Sequence, residues 1–282
     1  MGTTLQTRRL VLRLLGPDDD GADERELAEL VAADRRPLAG WKAVPRRPGE
    51  RERRYVVRSR AGGLLGSVSS TECPEGTVAL SFWLTEGATG QGHAVEAAAA
   101  VAGEVWETTG AGRLLIRCAA QNAAGARVAA NLGFEEARAS GGVSEWILDR
   151  EWGEAWSAAW RSASQIAGTV QGVAGKIRID LDSGIAAEIA LGELAGAPHL
   201  VVTCEVAAED RFAHHELLEH NGSLAVGSLC LRAGVVVMRH ACEPASLTGR
   251  ALALLLHETG RLRGLDRATA RPENVIFGEY AE

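Results

Sequence analysis

The stretch TGQGHAVEAAA, residues 89–99, places two glycines directly before a predicted alanine-rich helix. The first amides of a helix have no partner within the helix, and the helix dipole favours an anion beside them. Gly90 and Gly92 carry no side chain, so a pyrophosphate could approach this bare backbone closely. Because many tight turns also need glycine, the stretch taken alone predicts either a phosphate site or an ordinary turn.

Three side chains are candidates for proton transfer: Glu86 and His93, which flank the turn, and Cys118, in the later predicted strand RLLIRCA. His93 falls in the first turn of the predicted helix, where a surface or phosphate-facing position is the simpler expectation. The sequence therefore leaves the catalytic residues unassigned.

Metal and disulfide chemistry are not indicated. Five cysteines are scattered without a CxxC pair, at Cys73, Cys118, Cys204, Cys230 and Cys242. His214, His215 and His220 lie on one predicted helix, but His215 and His220 are five positions apart, which is poor spacing for one metal ion. We expect free thiols and no metal cofactor.

The elements around the glycine turn alternate between strands and helices. A strand, RRLVLRLL, and a helix within residues 18–36 come first, followed by a hairpin of RYVVRSR and LLGSVSST. The next strand, GTVALSFWL, ends directly before the glycine turn and its long helix. A strand (RLLIRCA), a short helix (NAAGARVAANL) and a strand pair ending at SEWILD complete this half.

This order resembles the GNAT superfamily of N-acetyltransferases, especially the branch that acetylates the N-termini of ribosomal proteins. The resemblance covers about residues 5–149 and rests on RRLVLRLL, LLGSVS, SFWL, GQGHAVEA and QNAAGARVAANLGFEEA. It implies the acyl-CoA N-acyltransferase fold with a mixed sheet, and acetyl-CoA as a substrate. By the same resemblance, Gly90, Gln91, Gly92, His93 and Ala94 cradle the pyrophosphate, Leu84 lies beside the thioester and Asn122 faces the pantetheine.

Four positions depart from the pattern of that superfamily. Thr89 stands where the phosphate loop usually begins with Arg or Gln, and Ala79 where this branch often has Glu. Gly125 replaces a common serine, and Ala129 replaces the tyrosine that protonates the departing thiolate in relatives that have it. The resemblance thus implies coenzyme binding more firmly than turnover.

The second half opens with a tryptophan-rich helix. Trp152, Trp156 and Trp160 follow one another at four-residue steps on one helical face, which favours packing over a ligand stack. The glycines of residues 168–175 are expected to weaken this helix towards its end.

A chaperone-like domain is expected after that helix. Alternation predicts a three-stranded meander (KIRIDLD, IAAEIALG, HLVVTCEVA), a helix (EDRFAHHELLEHNGS), a hairpin (LAVGSLCLR, VVVMRHACE) and a last helix (ASLTGRALALLLHETGRLRGL). The resulting order αβββαββα resembles type III secretion chaperones and YbjN-type domains over about residues 155–270. That resemblance implies binding of a peptide or protein partner, and often dimerisation.

The whole chain is therefore predicted to be an α+β (α/β) protein of two domains. Its 282 residues exceed the usual size of one domain. The expected divisions are an acetyltransferase-like domain (1–149), a tryptophan-rich connecting helix that belongs to the second domain (150–175), the chaperone-like domain (176–270) and a tail (271–282).

Charge argues against a nucleic-acid partner. Residues 1–150 carry 19 basic and 20 acidic side chains, and residues 151–282 carry 11 and 17. Within residues 45–60 seven arginines outnumber two glutamates, which could attract a phosphate or an acidic partner, although a solvated loop leading into an exposed strand is the simpler interpretation. Charges interrupt the apolar N-terminal run, and no stretch of 18 apolar residues occurs, so we expect a cytoplasmic protein without a membrane partner.

Two functions remain open from the sequence. One is an acetyl-CoA-dependent N-acetyltransferase that acts on an amine, of a protein or peptide for example, with residues 150–270 binding a protein partner or a second copy. The other is a catalytically degenerate adaptor or scaffold that binds coenzyme or a partner without turnover.

Overall fold

The computed structural model describes residues 3–16, 21–34, 51–173, 175–194, 196–208, 227–233 and 235–262. The chain divides into two compact units, Met1–Ser157 and Ala158–Glu282. The division falls within helix α4 (Arg150–Ser164).

The first unit contains eight strands and three helices besides the start of α4, among the residues that are described. They are β1 (Thr4–Gln6), β2 (Leu10–Leu14), α1 (Ala22–Ala33), β3 (Glu52–Ser59), β4 (Leu64–Cys73), β5 (Thr77–Leu84), α2 (His93–Thr108), β6 (Arg113–Ala119), α3 (Ala123–Asn131), β7 (Glu135–Ser140) and β8 (Val143–Asp149). The predicted order is confirmed, with the short β1 as an addition that the sequence analysis missed.

These strands form one mixed sheet in the order β1-β2-β3-β4-β5-β6-β8-β7. Strands β5 and β6 pair in parallel, and the other neighbours pair antiparallel. The mixed sheet expected from the resemblance is therefore present.

Small side chains let α2 pack closely on this sheet. Ala97, Ala98 and Val101 are fully buried on the helix, and Tyr55, whose hydroxyl donates to Glu104 Oε2 of α2 at 3.0 Å, is fully buried on β3. Burial of such apolar surface stabilises the fold by about 25 cal/mol per Å². This packing fixes the N-terminus of α2 at the end of β5.

Strands β5 and β6 pair over only half of their length. The ladder runs from Thr77 opposite Arg113 to Leu80 opposite Ile116. Strand β5 continues to Leu84 without further pairing to β6. A gap therefore opens between the two strands on the side from which the chain enters the glycine turn.

The arginines of β3 are held by acidic residues. Arg53 Nη2 lies 2.6 Å from Glu104 Oε1, and Arg58 Nη2 lies 2.7 Å from the buried Asp23. Arg58 also pairs with Glu26. The described part of the arginine-rich stretch is thus used within the fold, and residues 45–50 lie outside the described residues.

The second unit contains a six-stranded antiparallel sheet in the order β13-β14-β12-β11-β10-β9. Its elements after α4 are β9 (Thr169–Val173), β10 (Lys176–Asp180), β11 (Ala186–Leu194), β12 (Ala197–Ala208), β13 (Ser228–Arg232), β14 (Val235–Cys242) and α5 (Gly249–Leu262). The predicted meander, hairpin and last helix are present as β10–β12, β13–β14 and α5.

Strand β9 corrects the predicted order αβββαββα. The glycines of residues 168–175 do not end a weakened helix: α4 stops at Ser164 and the chain returns as an edge strand beside β10. Gly168 has φ +138, and a Cβ there would lie 2.5 Å from the carbonyl oxygen of Asp180, so the turn into β9 requires glycine. Four strands, not three, precede the predicted helix EDRFAHHELLEHNGS.

Several predictions fall outside the described residues. That helix, with His214, His215 and His220, is among them, and so is the tail at 271–282. The second unit's identity with a secretion chaperone-like domain stays a prediction.

The tryptophans of α4 pack as the sequence favoured. Trp156 and Trp160 are buried, and Trp152 is half-buried. The Trp156 ring lies 3.7 Å from the position of a Cβ on Gly133, within the first unit.

None of the helices in the described ranges is long and apolar enough to span a membrane.

Candidate functional site

The glycine turn before α2 has a left-handed backbone at both of its glycines. Gly90 has φ 75° and Gly92 has φ 77°, both in the left-handed region that favours glycine. A Cβ on Gly90 would meet nothing within 4 Å, so this backbone is open to a ligand. Gly92 is the N-cap residue of α2 and offers no side-chain cap. The first intrahelical bond runs from the amide of Glu96 to the carbonyl of Gly92 at 3.1 Å.

The amides before Glu96 are consequently available to an anion. His93, Ala94 and Val95 occupy the first turn of α2, where a helix has no internal acceptor for its N–H groups. Together with the positive end of the helix dipole, these amides suit phosphate oxygens. The predicted residues Gly90, Gly92, His93 and Ala94 are thus brought together, and the turn fits a pyrophosphate.

Thr89 and Gln91 have a different part in the turn. Thr89 Oγ1 donates to the carbonyl of Glu86 at 2.7 Å, and Gln91 Nε2 donates to the carbonyl of Gly87 at 2.7 Å. Their side chains close the loop on itself. Glu86, one of the candidates for proton transfer, is exposed on the 3₁₀ turn Glu86–Ala88.

Arg9, which no sequence motif singled out, faces this turn from the N-terminal strand region. Arg9 donates from Nε to Glu96 Oε2 at 2.6 Å and from Nη1 to the carbonyl of Gln91 at 2.8 Å. Glu96 Oε1 also accepts from the backbone amide of Arg9 at 3.0 Å and from Thr7 Oγ1 at 2.6 Å. The partners are 87 and 82 positions apart, so local pattern could not pair them.

His93 lies at the start of α2 with its Nδ1 atom buried and without a hydrogen-bond partner among the described residues. Burial lowers the pKa of His93, and the nearby Arg9 guanidinium lowers it further, against the opposing effects of the Ala88 backbone and Glu96. The imidazole is therefore neutral at pH 7. A neutral ring beside a phosphate cradle contributes a hydrogen bond, not a charge.

The gap between β5 and β6 lies beside the turn. Thr85 N donates to the carbonyl of Leu65 on the β4 side at 2.8 Å. Since alternate residues of an antiparallel ladder bond to the same neighbour, the amides of Phe82 and Leu84 face the β6 side. Phe82 is the first such residue beyond the last paired residue, Leu80. Leu84, predicted beside the thioester, is buried at the end of β5.

Asn122 begins α3 on the other side of the gap. Its Oδ1 accepts from the amide of Gly125 at 2.9 Å, so it caps the helix. Its side chain is exposed, which leaves it open to the predicted pantetheine contact. Cys118, at the end of β6, is buried, and this burial raises the pKa of its thiol. Cys118 is thus a neutral thiol at pH 7.

Three of the four positions that depart from the superfamily pattern lie in closely packed surroundings. Ala129 is fully buried on α3, and Ala79 pairs with Leu115 within the β5–β6 ladder. A Cβ on Gly125 would lie 2.9 Å from Asn122 Nδ2 and 3.2 Å from Cys118 Cβ.

In the described part of the chain, no three His, Cys, Asp or Glu side chains gather into a group that could hold a metal ion.

The fold and this turn define the class of the first unit. Residues 9–135 match the family described as acetyltransferase (GNAT) domain. This match to a GNAT acetyltransferase domain lies within the first unit and does not extend into the second.

Three solved structures illustrate the proteins to which the chain is similar. A ribosomal-protein-S5-alanine acetyltransferase from Vibrio fischeri is 16% identical, with a TM-score of 0.43 over 53% of this chain and 98% of that chain. Spermidine N-acetyltransferase from Vibrio cholerae, in complex with CoA and spermine, is 15% identical, with a TM-score of 0.40 over 51% and 98%. RimJ from Mycobacterium smegmatis, in complex with CoA-disulfide, is 16% identical, with a TM-score of 0.42 over 52% and 86%. No curated protein matches the chain.

Proposed function

We propose that the first unit binds acetyl-CoA and transfers the acetyl group to an amine. The observation that carries this proposal is the open Gly90–Gln91–Gly92 turn at the N-terminus of α2, directly beside the gap between β5 and β6. The match of residues 9–135 to the acetyltransferase domain supports the same reaction.

The coenzyme would be held mainly by backbone. Gly90, Gly92 and the amides of His93 and Ala94 receive the pyrophosphate, because bare N–H groups and the helix dipole both favour an anion there. Leu84 lies beside the thioester, and Asn122 faces the pantetheine. Acetyl-CoA supplies the acetyl group as a thioester that an amine can attack.

The contribution of the chain to the reaction is positioning and polarisation. The backbone amide of Phe82 faces the gap and can donate to the oxygen that gains negative charge as the amine attacks. Holding the amine and the carbonyl in reach of each other supplies much of the rate by itself. Cys118, as a neutral thiol, and His93, as a neutral imidazole, remain the candidates for proton transfer near the gap.

The acceptor is proposed to be an amine of a protein or peptide, in line with the branch of the superfamily that the first half resembles. Residues 150–270 would then recognise the protein that carries this amine, or a second copy of the chain. The chaperone-like character of the second unit belongs to the same proposal. Its support is the antiparallel sheet together with α4 and α5, since the described elements follow the predicted order except for the additional strand β9.

A second function, an adaptor without turnover, is favoured by the residues on α3. Gly125 has no room for the common serine, and Ala129 is fully buried where related enzymes carry the tyrosine. The adaptor would keep the coenzyme turn and use the second unit to bind its partner.

Release of free thiol from acetyl-CoA, measured with a panel of amines and peptides, separates the two functions. Turnover predicts release above background that disappears in Gly92→Glu, whose carboxylate would repel the phosphates. Gly184→Glu is the matched control, because Gly184 also has φ 77° and an added Cβ there meets nothing within 4 Å. Both variants carry similar backbone strain and the same new charge. An adaptor predicts no release by any variant, together with a specific protein captured by the full chain and lost when residues 158–282 are removed.

A further inference from the structure

The phosphate turn carries no cation of its own. Thr89 stands at the position where the superfamily usually has Arg or Gln, and its hydroxyl is directed to the carbonyl of Glu86. The helix dipole and three amides remain, but a pyrophosphate is doubly charged and is bound best where a guanidinium also reaches it.

A guanidinium is nevertheless present at this turn, and it comes from the start of β2. Arg9 Nη1 donates to the carbonyl of Gln91, and Arg9 Nη2 lies 3.4 Å from the position of a Cβ on Gly92. The charge therefore lies against the same two-glycine turn. A Cβ at position 92 would come into van der Waals contact with it.

Glu96 fixes the orientation of this guanidinium. Glu96 is 8% exposed, and its carboxylate accepts from Arg9 Nε at 2.6 Å and from the backbone amide of Arg9 at 3.0 Å. The side-chain bond uses the Nε atom of the guanidinium. Nη2 makes no hydrogen bond within the described residues, and the Arg9 side chain is 38% exposed, so a ligand can reach the remaining N–H groups.

We propose that Arg9 is a phosphate-binding residue of the coenzyme site, donating from Nη2 to the pyrophosphate, and that Glu96 is its positioning residue. This inference rests on the proposed function and adds a ligand-binding side chain to it. The positive charge that the loop lacks at Thr89 is supplied from another element.

The affinity for acetyl-CoA, measured by calorimetry on the full chain, tests the proposal with two neighbouring variants. Arg9→Gln removes the guanidinium at the turn, and the dissociation constant is expected to rise about tenfold or more, the effect of losing one charge-assisted hydrogen bond. Arg8→Gln removes the same charge one residue earlier, where Arg8 is exposed and makes no ion pair with the described residues. That control is expected to change the dissociation constant by less than about twofold.

A second measurement uses the unaltered protein and so does not depend on the folding of a variant. Phenylglyoxal modifies accessible arginines, and mass spectrometry can follow Arg8 and Arg9 separately. Coenzyme A at saturation is expected to protect Arg9 and to leave Arg8 reactive. Equal modification of Arg9 with and without coenzyme A, or equal affinities of Arg9→Gln and Arg8→Gln, would overturn the role of Arg9 while the proposed function stands. Failure of the unaltered protein to bind acetyl-CoA would overturn both.

Discussion

Gly125 and Asn122 are locked together at the start of α3: the Gly125 amide donates to Asn122 Oδ1 at 2.9 Å, and a Cβ on Gly125 would lie 2.9 Å from Asn122 Nδ2. The hydrogen bond is the N-cap of α3, and the short second distance leaves no space for a side chain. Asn122 thus occupies the space that a serine side chain at position 125 would need.

Gly125→Ser is expected to destabilise the protein. A serine can enter only if Asn122 rotates away, which breaks the cap and costs about 1 kcal/mol, more than the gain of a few tenths from replacing a helical glycine. Urea unfolding of this variant should be compared with Ala124→Ser, at an exposed neighbour in the same helix. Equal stability of the two variants would show that Asn122 does not hold position 125 closed.

Gly66→Ala is expected to disrupt the end of β5 and with it the entry to the glycine turn. A Cβ on Gly66 would lie 2.1 Å from the carbonyl oxygen of Trp83 and 2.7 Å from Leu84 Cα, and backbone atoms cannot rotate away. We expect a loss of about 3 kcal/mol or more in the free energy of unfolding. Gly63→Ala, in the same hairpin and with its nearest atom at 3.7 Å, should change it by less than about 0.5 kcal/mol. A stable Gly66→Ala protein would contradict the close approach of β4 and β5.

The glycine turn and the order of elements in the first unit could be predicted because their signals are local. Gly90 and Gly92 stand directly before the apolar period of α2, and GTVALSFWL alternates as a strand should. The Arg9–Glu96 pair could not be predicted in that way, because its partners are 87 positions apart. Strand β9 was missed because glycines that normally end a helix form here a turn and an edge strand, whose pairing with β10 is a tertiary contact.

Arg150→Gln is expected to loosen the C-terminus of α2 without changing coenzyme affinity. Arg150 donates to the carbonyl oxygens of Trp106 at 2.7 Å and Ala111 at 2.7 Å, and its guanidinium lies 5.7 Å from the Trp106 ring centroid. These bonds satisfy groups that a helix end leaves open, so the loss should be about 2 kcal/mol in the free energy of unfolding.

Arg113→Gln is the matched control for this contact. Arg113 pairs with Asp149 at 2.7 Å, but both side chains are about half exposed, so the expected loss is below about 0.5 kcal/mol. If both variants lose the same free energy, Arg150 is an ordinary surface arginine.

Stability of the second unit is expected to fall at alkaline pH through Cys204. Burial raises the pKa of this thiol from about 9 to about 11, against a smaller opposing effect of Thr259. The unfolded thiol ionises first, so the contribution is complete below about pH 9 and is lost as pH rises towards 11. At about 1.4 kcal/mol per pKa unit, it amounts to about 3 kcal/mol.

The measurement for Cys204 is urea unfolding of the full chain at a series of alkaline pH values. Cys204→Ala removes the titrating group, so the difference in stability between the two proteins should shrink as pH rises. Parallel pH curves for the two proteins would show that the Cys204 thiol is not buried as described.

Calorimetric titration of acetyl-CoA into the full chain tests the central claim most directly. A dissociation constant in the micromolar range, with no binding by Gly92→Glu and normal binding by Gly184→Glu, is the predicted result. No heat, and no thermal stabilisation by millimolar acetyl-CoA, would contradict the claim that the Gly90–Gln91–Gly92 turn is a coenzyme site.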